Sequence, residues 1–281
     1  MEIVAESGVG AIPFLIPILN LCLLQRGVLP LHASAFVHGG IGTVAMGWSQ
    51  SGKTEVLLAA LGDGGTYVSD EWSYVSGGIA YGLPTRVRVE AGHRRAEAVV
   101  RSPVSWPLQR RLAALALLDG IVAQVRLVGR SPLPGRRLTD RLLAAARRRT
   151  HVDVPPRQLF GARACVPSLA LQRALWLVPT DGEGVHVERV PARDVAARMV
   201  FAHVHHRMSL LDVYWRHRYA HPELASTTIE QMAVLEADLL QRFLAHVPTF
   251  LVEHPRHASP LALLPALKTA RIGRTRRGSD D

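Results

Sequence analysis

Lysine is almost missing from this chain. Of 33 basic residues among 281, only Lys53 and Lys268 are lysines, and 31 are arginines. Genome base composition alone can produce such a skew, so the informative positions are those that resisted it. Cysteine is equally scarce. Cys22 and Cys165 cannot build a disulfide framework, which points to a reducing compartment. Aromatics make up 6 %. With no stacking-aromatic or helix-turn-helix motif beside the arginine clusters, the net charge of +10 reads as solvated faces and a tail rather than a nucleic-acid interface. No long apolar run occurs. The most apolar stretch, Val9 to Leu24, is too short for a span and is interrupted by Pro13, Pro17 and Asn20. Glu2 and Glu6 precede it and no Arg or Lys comes before Arg26, so it is not a signal peptide. The expectation is a buried helix from Pro13 to Gln25 in a cytoplasmic protein without stable membrane insertion.

What is present is a hydrophobic share of 48 % against 20 % charged residues, which excludes a disordered chain over most of the length. Leu31 to His38 and Ile41 to Met46 read as strands joined by a Gly39-Gly40 hairpin. Lys53 to Leu61 reads as a helix and Thr66 to Ser69 as a strand. Trp72 to Val75 and Ile79 to Leu83 form a second hairpin, and Arg86 to Glu90 alternates again. From Gly92 the texture turns Arg-, Pro- and Ala-rich, with helices expected at Pro107–Leu118 and Thr139–Arg149. Strands follow at Leu175–Val178, Val185–Val190 and Phe250–Val252. Helices are expected at Ala192–His203, Met208–Tyr219 and Thr227–Ala245, with a disordered tail from Lys268.

The chemistry concentrates at Gly47-Trp48-Ser49-Gln50-Ser51-Gly52-Lys53-Thr54, which satisfies G-x-x-x-x-G-K-[ST] between an apolar strand and a helix. In that setting consecutive backbone N–H groups bind phosphate oxygens and the helix N-terminus adds positive potential. Lys53 supplies a point charge to the terminal phosphates, and the Thr54 hydroxyl can ligate Mg²⁺. A flexible ammonium is required there and a planar guanidinium does not substitute, so this lysine resisted the arginine skew. Asp70 and Glu71 close the next strand, where their carboxylates face the loop. One can hold Mg²⁺ and the other can take a hydroxyl proton. His32 lies in the strand paired to the one leading into the loop. Arg86 and Arg88 are weaker candidates for an anionic substrate. Trp48 has two readings, a stacking surface for a base or a cover for the loop. His205-His206 and His217 with His221 hint at a metal, but Pro222 ends the helix and no third ligand is placed, so no zinc is assigned.

These residues resemble a family. Leu31-His32-Ala33-Ser34, the glycine hairpin, Gly47 to Glu55 and Ser69-Asp70-Glu71 look like the catalytic domain of HPr kinase/phosphorylase, whose fold is shared with ATP-dependent phosphoenolpyruvate carboxykinase. Within the loop Gly47, Ser49, Gly52, Lys53, Thr54 and Glu55 match the family form. Val152-Asp153-Val154 with Leu159-Phe160-Gly161-Ala162 is similar to a second family segment. The resemblance spans about Leu31 to Val178. Gln50 stands where the family has its middle glycine, and Glu71 where it has a second aspartate. The family's N-terminal domain and its E-I-R-G segment have no counterpart.

The resemblance implies an α/β fold with a mixed, P-loop-containing sheet and C-terminal helices. It also implies ATP with Mg²⁺ and, by the hexamers of HPr kinases, a homo-oligomer. The expected organisation is one catalytic domain over 1–267, with a lid or substrate-facing insertion at 92–150, a helical part at 192–267 and a tail at 268–281. The expected activity is γ-phosphate transfer from ATP to a hydroxyl of a small molecule or peptide. The alternative is a nucleotide-binding regulatory protein without transfer.

Overall fold

The computed structural model describes residues 12–83, 85–90, 151–256 and 258–270, with backbone alone at 88–90 and 151–152. The expected helices at 107–118 and 139–149, the 92–150 insertion and the tail beyond 270 lie outside the described residues. The apolar N-terminal stretch folds as α1 (Leu15–Leu24). Two short strands follow, β1 (Leu29–Leu31) and β2 (Ala33–His38), then β3 (Ile41–Gly47). The Gly39-Gly40 turn between β2 and β3 has both residues at positive φ, as a two-residue hairpin requires. Next come α2 (Lys53–Gly62), β4 (Thr66–Ser69), the hairpin of β5 (Ser73–Ser76) and β6 (Ile79–Gly82), and β7 (Val87–Glu90). After 150 the chain adds β8 (His151–Val154), α3 (Pro156–Phe160), β9 (Ser168–Ala170), β10 (Arg173–Thr180) and β11 (His186–Arg189). It ends with α4 (Ala192–Ala220), α5 (Thr227–Ala245), β12 (Thr249–Pro255) and α6 (Pro260–Thr269).

The central sheet is six-stranded and mixed, in the order β11-β12-β10-β3-β2-β4. β12, β10 and β3 run parallel, while β2, β4 and β11 are antiparallel to their neighbours. A four-stranded antiparallel sheet, β1-β5-β6-β9, lies beside it, and β7 pairs with β8. The alternation of β3 sorts its side chains by face. Ala45 joins Phe36, Leu57, Leu175 and Leu177 in a core covered by α2 and α6. Val44 and Met46 join Ala35, Met199, Leu240 and Leu244 in a core covered by α4 and α5. The architecture is therefore α/β with a mixed sheet and C-terminal helices, as the sequence predicts.

Three expectations change. Leu31–His38 is not one strand: β1 belongs to the smaller sheet, β2 to the larger, and His32 stands at the break. The two helices expected at 192–203 and 208–219 are one helix of 29 residues. The polar run His203 to Arg207 breaks the apolar period without breaking the helix, because a carboxylate from α5 satisfies it. The helix α6 runs through Lys268 to Thr269, past the point where the tail was expected to begin. Among the described residues no helix is long and apolar enough to cross a membrane.

Candidate active site at the Gly47 to Thr54 loop

The loop leaves the C-terminal end of β3, beside the C-terminal ends of β10 and β12, where open α/β sheets form their ligand crevices. Its turn is closed by the Ser51 N–H donating to the Trp48 carbonyl at 3.2 Å. Gly52 caps α2 at φ 89, in the left-handed region, and a Cβ there would stand 2.9 Å from the His254 ring. Gln50, at the position where the resembling family has glycine, also sits in the left-handed region at φ 62. The backbone path that a glycine would ease is kept at a cost of about 1 kcal/mol. Trp48, Ser49 and Gln50 are exposed, whereas Ser51 and Gly52 are buried.

Lys53 opens α2 and folds back under the loop. Its Nζ donates to the carbonyls of Trp48 (2.8 Å) and Gly47 (3.4 Å). Only 8 % of the residue is exposed. Burial pulls its ammonium from 10.5 down to about 8, while Glu71, Asp70 and Glu55 pull the other way. Thr54 donates its hydroxyl to Asp70 Oδ2 at 3.1 Å, and Ser34 donates to Asp70 Oδ1 at 2.5 Å. The pairing of Ala35 with Ser69 across β2 and β4 brings Ser34 beside Asp70. Burial pushes the Asp70 carboxyl up from its ordinary value, with Glu71 adding to the rise and the Ser34 and Thr54 hydroxyls opposing it.

Glu71 behaves differently from its neighbour. Its backbone turns to φ 77, its side chain is half exposed, and its Oε2 lies 3.4 Å from His32 Nε2. The break between β1 and β2 at His32 explains this meeting. Freed from strand pairing, the His32 N–H donates to His203 Nε2 (3.2 Å), and the next N–H, of Ala33, donates to the Glu71 carbonyl (3.1 Å). Burial lowers His32 to about 4, so the ring is neutral at pH 7. With a carboxylate at Nε2, the proton sits there and Nδ1 presents a lone pair. That Nδ1 is buried without a hydrogen-bond partner.

The roof over the loop comes from α4, which the sequence reading missed. His205 stacks on Trp48 at 4.9 Å, and the ring of His206 lies 3.7 Å from that of His32. Trp72 packs against His32 and His206. Burial lowers His206 to about 3, with nearby His32 and Lys53 adding to the effect. His203 accepts from His32 at Nε2, so its Nδ1 carries the proton and donates to Glu236 Oε1 at 3.0 Å. Arg207 closes the chain with a two-pronged contact to Glu236 at 2.6 and 2.7 Å, fully out of water. A signal for this network is legible in α5. Met232, Glu236, Leu240 and Leu244 are spaced by four and all buried, so a carboxylate interrupts an apolar stripe.

The other candidates fall outside this cluster. Arg86 is exposed just ahead of β7, next to Thr85, whose hydroxyl donates to the Asp70 carbonyl at 3.4 Å. The Arg88 side chain lies outside the described residues. Glu55 is in the first turn of α2 and acts on Lys53 through its charge. The rings of His217 and His221 lie 5.2 Å apart, tilted by 41°, and His221 lies near Glu223. Among the described residues no three His, Cys, Asp or Glu side chains group so as to hold a metal by themselves.

No family model and no curated protein matches the chain. Among solved structures it is similar to the Hpr(Ser) kinase/phosphatase from Coxiella burnetii, at 14 % identity over 68 % of this chain and 98 % of that one. The TM-score is 0.28, a distant likeness.

Proposed function

We propose that the chain is an ATP-dependent kinase that transfers the γ-phosphate to a hydroxyl group of a small molecule or peptide. The observation that carries this reading is the convergence of Lys53, Thr54, Asp70, Glu71 and His32 at one loop, with Asp70 and Glu71 in opposite environments. The loop residues Gly47 to Thr54 would take the phosphates, with backbone N–H groups at the neck of α2 and the Lys53 ammonium neutralising their charge. Thr54 Oγ1 and the Asp70 carboxylate are hard oxygen donors in hydrogen-bond contact, a donor set that fits Mg²⁺ completed by phosphate and water oxygens. Bound there, the ion would neutralise charge on the phosphate oxygens.

The division of labour between the carboxylates follows from their surroundings. Asp70 is enclosed by two hydroxyls and suits metal holding. Glu71 is half exposed and oriented by His32, which suits accepting the proton of the attacking hydroxyl. In the transfer the hydroxyl oxygen bonds to the γ-phosphorus, the bond to the β–γ bridging oxygen breaks, ADP leaves and the proton passes to Glu71. Such chemistry asks mainly for positioning and charge, which these groups supply.

The test incubates the full chain with Mg²⁺, γ-labelled ATP and a panel of hydroxyl-bearing metabolites and peptides. Label should move to an acceptor and be lost in Lys53→Ala and Asp70→Asn. Equal transfer by those variants overturns the assignment. Nucleotide binding without transfer across the panel supports the regulatory alternative.

A further inference from the structure

A residue outside every recognised motif holds the loop from behind. His254 lies near the C-terminal end of β12 and is 2 % exposed. Its Nε2 is 2.9 Å from the carbonyl oxygen of Ser51, and its Nδ1 is 2.9 Å from the carbonyl oxygen of Pro255. Both partners are pure acceptors. A neutral imidazole has one N–H and one lone pair, so either tautomer would set a lone pair against a carbonyl oxygen. Only the imidazolium carries a donor at both nitrogens. The ring also fills the space beside Gly52, where a Cβ would stand 2.9 Å from Cε1 and Nε2.

The contact fixes a direction as well as a position. In a trans peptide the C=O and N–H point opposite ways. Drawing the Ser51 carbonyl back onto His254 therefore turns the N–H of Gly52 to the other side of that peptide, away from β12. In loops of this pattern that N–H is one of the phosphate donors. We propose that His254 is a charged positioning residue: an imidazolium that ties the Ser51–Gly52 peptide to β12, aims the Gly52 N–H toward a nucleotide phosphate, and adds a positive charge beneath the loop. The role toward phosphate rests on the kinase reading above; the charge on the ring does not.

Two readouts keep these apart. Ring nitrogen NMR of the ¹⁵N-labelled full chain at pH 7, assigned through bonds, should show both His254 nitrogens at the shifts of an imidazolium. A lone-pair shift at either nitrogen overturns the proposal. His254→Phe keeps a ring and removes both donors. If it folds, Mg-ATP should bind about tenfold to a hundredfold more weakly, the range expected for losing charged hydrogen bonds, with adenosine affinity unchanged. Unchanged Mg-ATP affinity in the folded variant overturns the positioning role. If the variant does not fold, the NMR result on the natural chain decides. A natural chain that binds no ATP overturns the phosphate reading, while its ring shifts still report on the charge.

Discussion

At the scale of single residues, Lys53 gives the sharpest expectation. Its folded-state value is lowered to about 8 from 10.5, so between those values the unfolded chain holds more protons at this site than the folded one. Stability from this group should therefore rise with pH across about 8 to 10.5, as the burial penalty on the charged form is relieved. Nucleotide affinity should run the opposite way. A phosphate needs the ammonium charged, so Mg-ATP affinity should fall as pH rises through about 8, and binding near that pH should take up a proton. Calorimetry in buffers of different ionisation enthalpy measures that uptake. Gln50 makes a second expectation. At φ 62 it carries strain that glycine would not, so Gln50→Gly should stabilise the fold by up to about 1 kcal/mol in urea unfolding. The residues of the loop were legible because the pattern names them. Asp70 and Glu71 were legible as a pair, but their different surroundings were not, since those depend on Ser34 in β2 and on His32 at the break between β1 and β2.

At the scale of elements, α4 and α5 show where sequence reading stops. Periodicity divides α4 in two, because His203 and Arg207 fall where apolar residues belong. The helix continues because Glu236 arrives from α5 to satisfy both. No pattern within α4 alone announces a partner 29 residues away for Arg207 or 33 for His203. Removing that partner should be costly. Glu236→Gln keeps the shape and leaves the Arg207 charge buried without its counter-charge, so the variant should lose about 3–5 kcal/mol in denaturant unfolding. The carboxyl also responds to acid. Burial raises it, but the Arg207 and His203 contacts outweigh burial and hold it below 4.5. Its contribution to stability is present above 4.5 and is lost as pH falls through the lower folded-state value, so Glu236→Gln should flatten acid unfolding in that window. The strand elements were easier. The hairpins at Gly39-Gly40 and Gly77-Gly78 stand as read, whereas β9 and β8 were missed, being three- and four-residue strands that pair across long separations.

At the scale of the molecule, the arginine excess resolves into different uses. Arg173 is fully buried and donates to the carbonyls of Leu267 and Ala270 at 2.8 Å and to the Thr43 hydroxyl at 2.9 and 3.1 Å. Burial lowers it to about 10, still charged at pH 7. A cation at the C-terminal end of α6 complements that helix's dipole, and the side chain bolts the last helix to the central strands β10 and β3. Arg173→Met should cost about 3 kcal/mol, since carbonyls are left without their charged donor. Hydrogen exchange should rise over 260–269 before it rises in the sheet. The bolt joins the face that carries α2, and so the loop, to the end of the described chain.

In the proposed function the Gly47–Thr54 loop binds the phosphates of a nucleotide through Lys53. Isothermal titration of the full chain with Mg-ATP, beside Lys53→Ala, tests it most directly. Saturable binding at one site per chain is expected, weakened at least about a hundredfold in the variant, the effect of losing about 3 kcal/mol of charged contact. Equal affinity in the two proteins, or no binding by the natural chain, would contradict it.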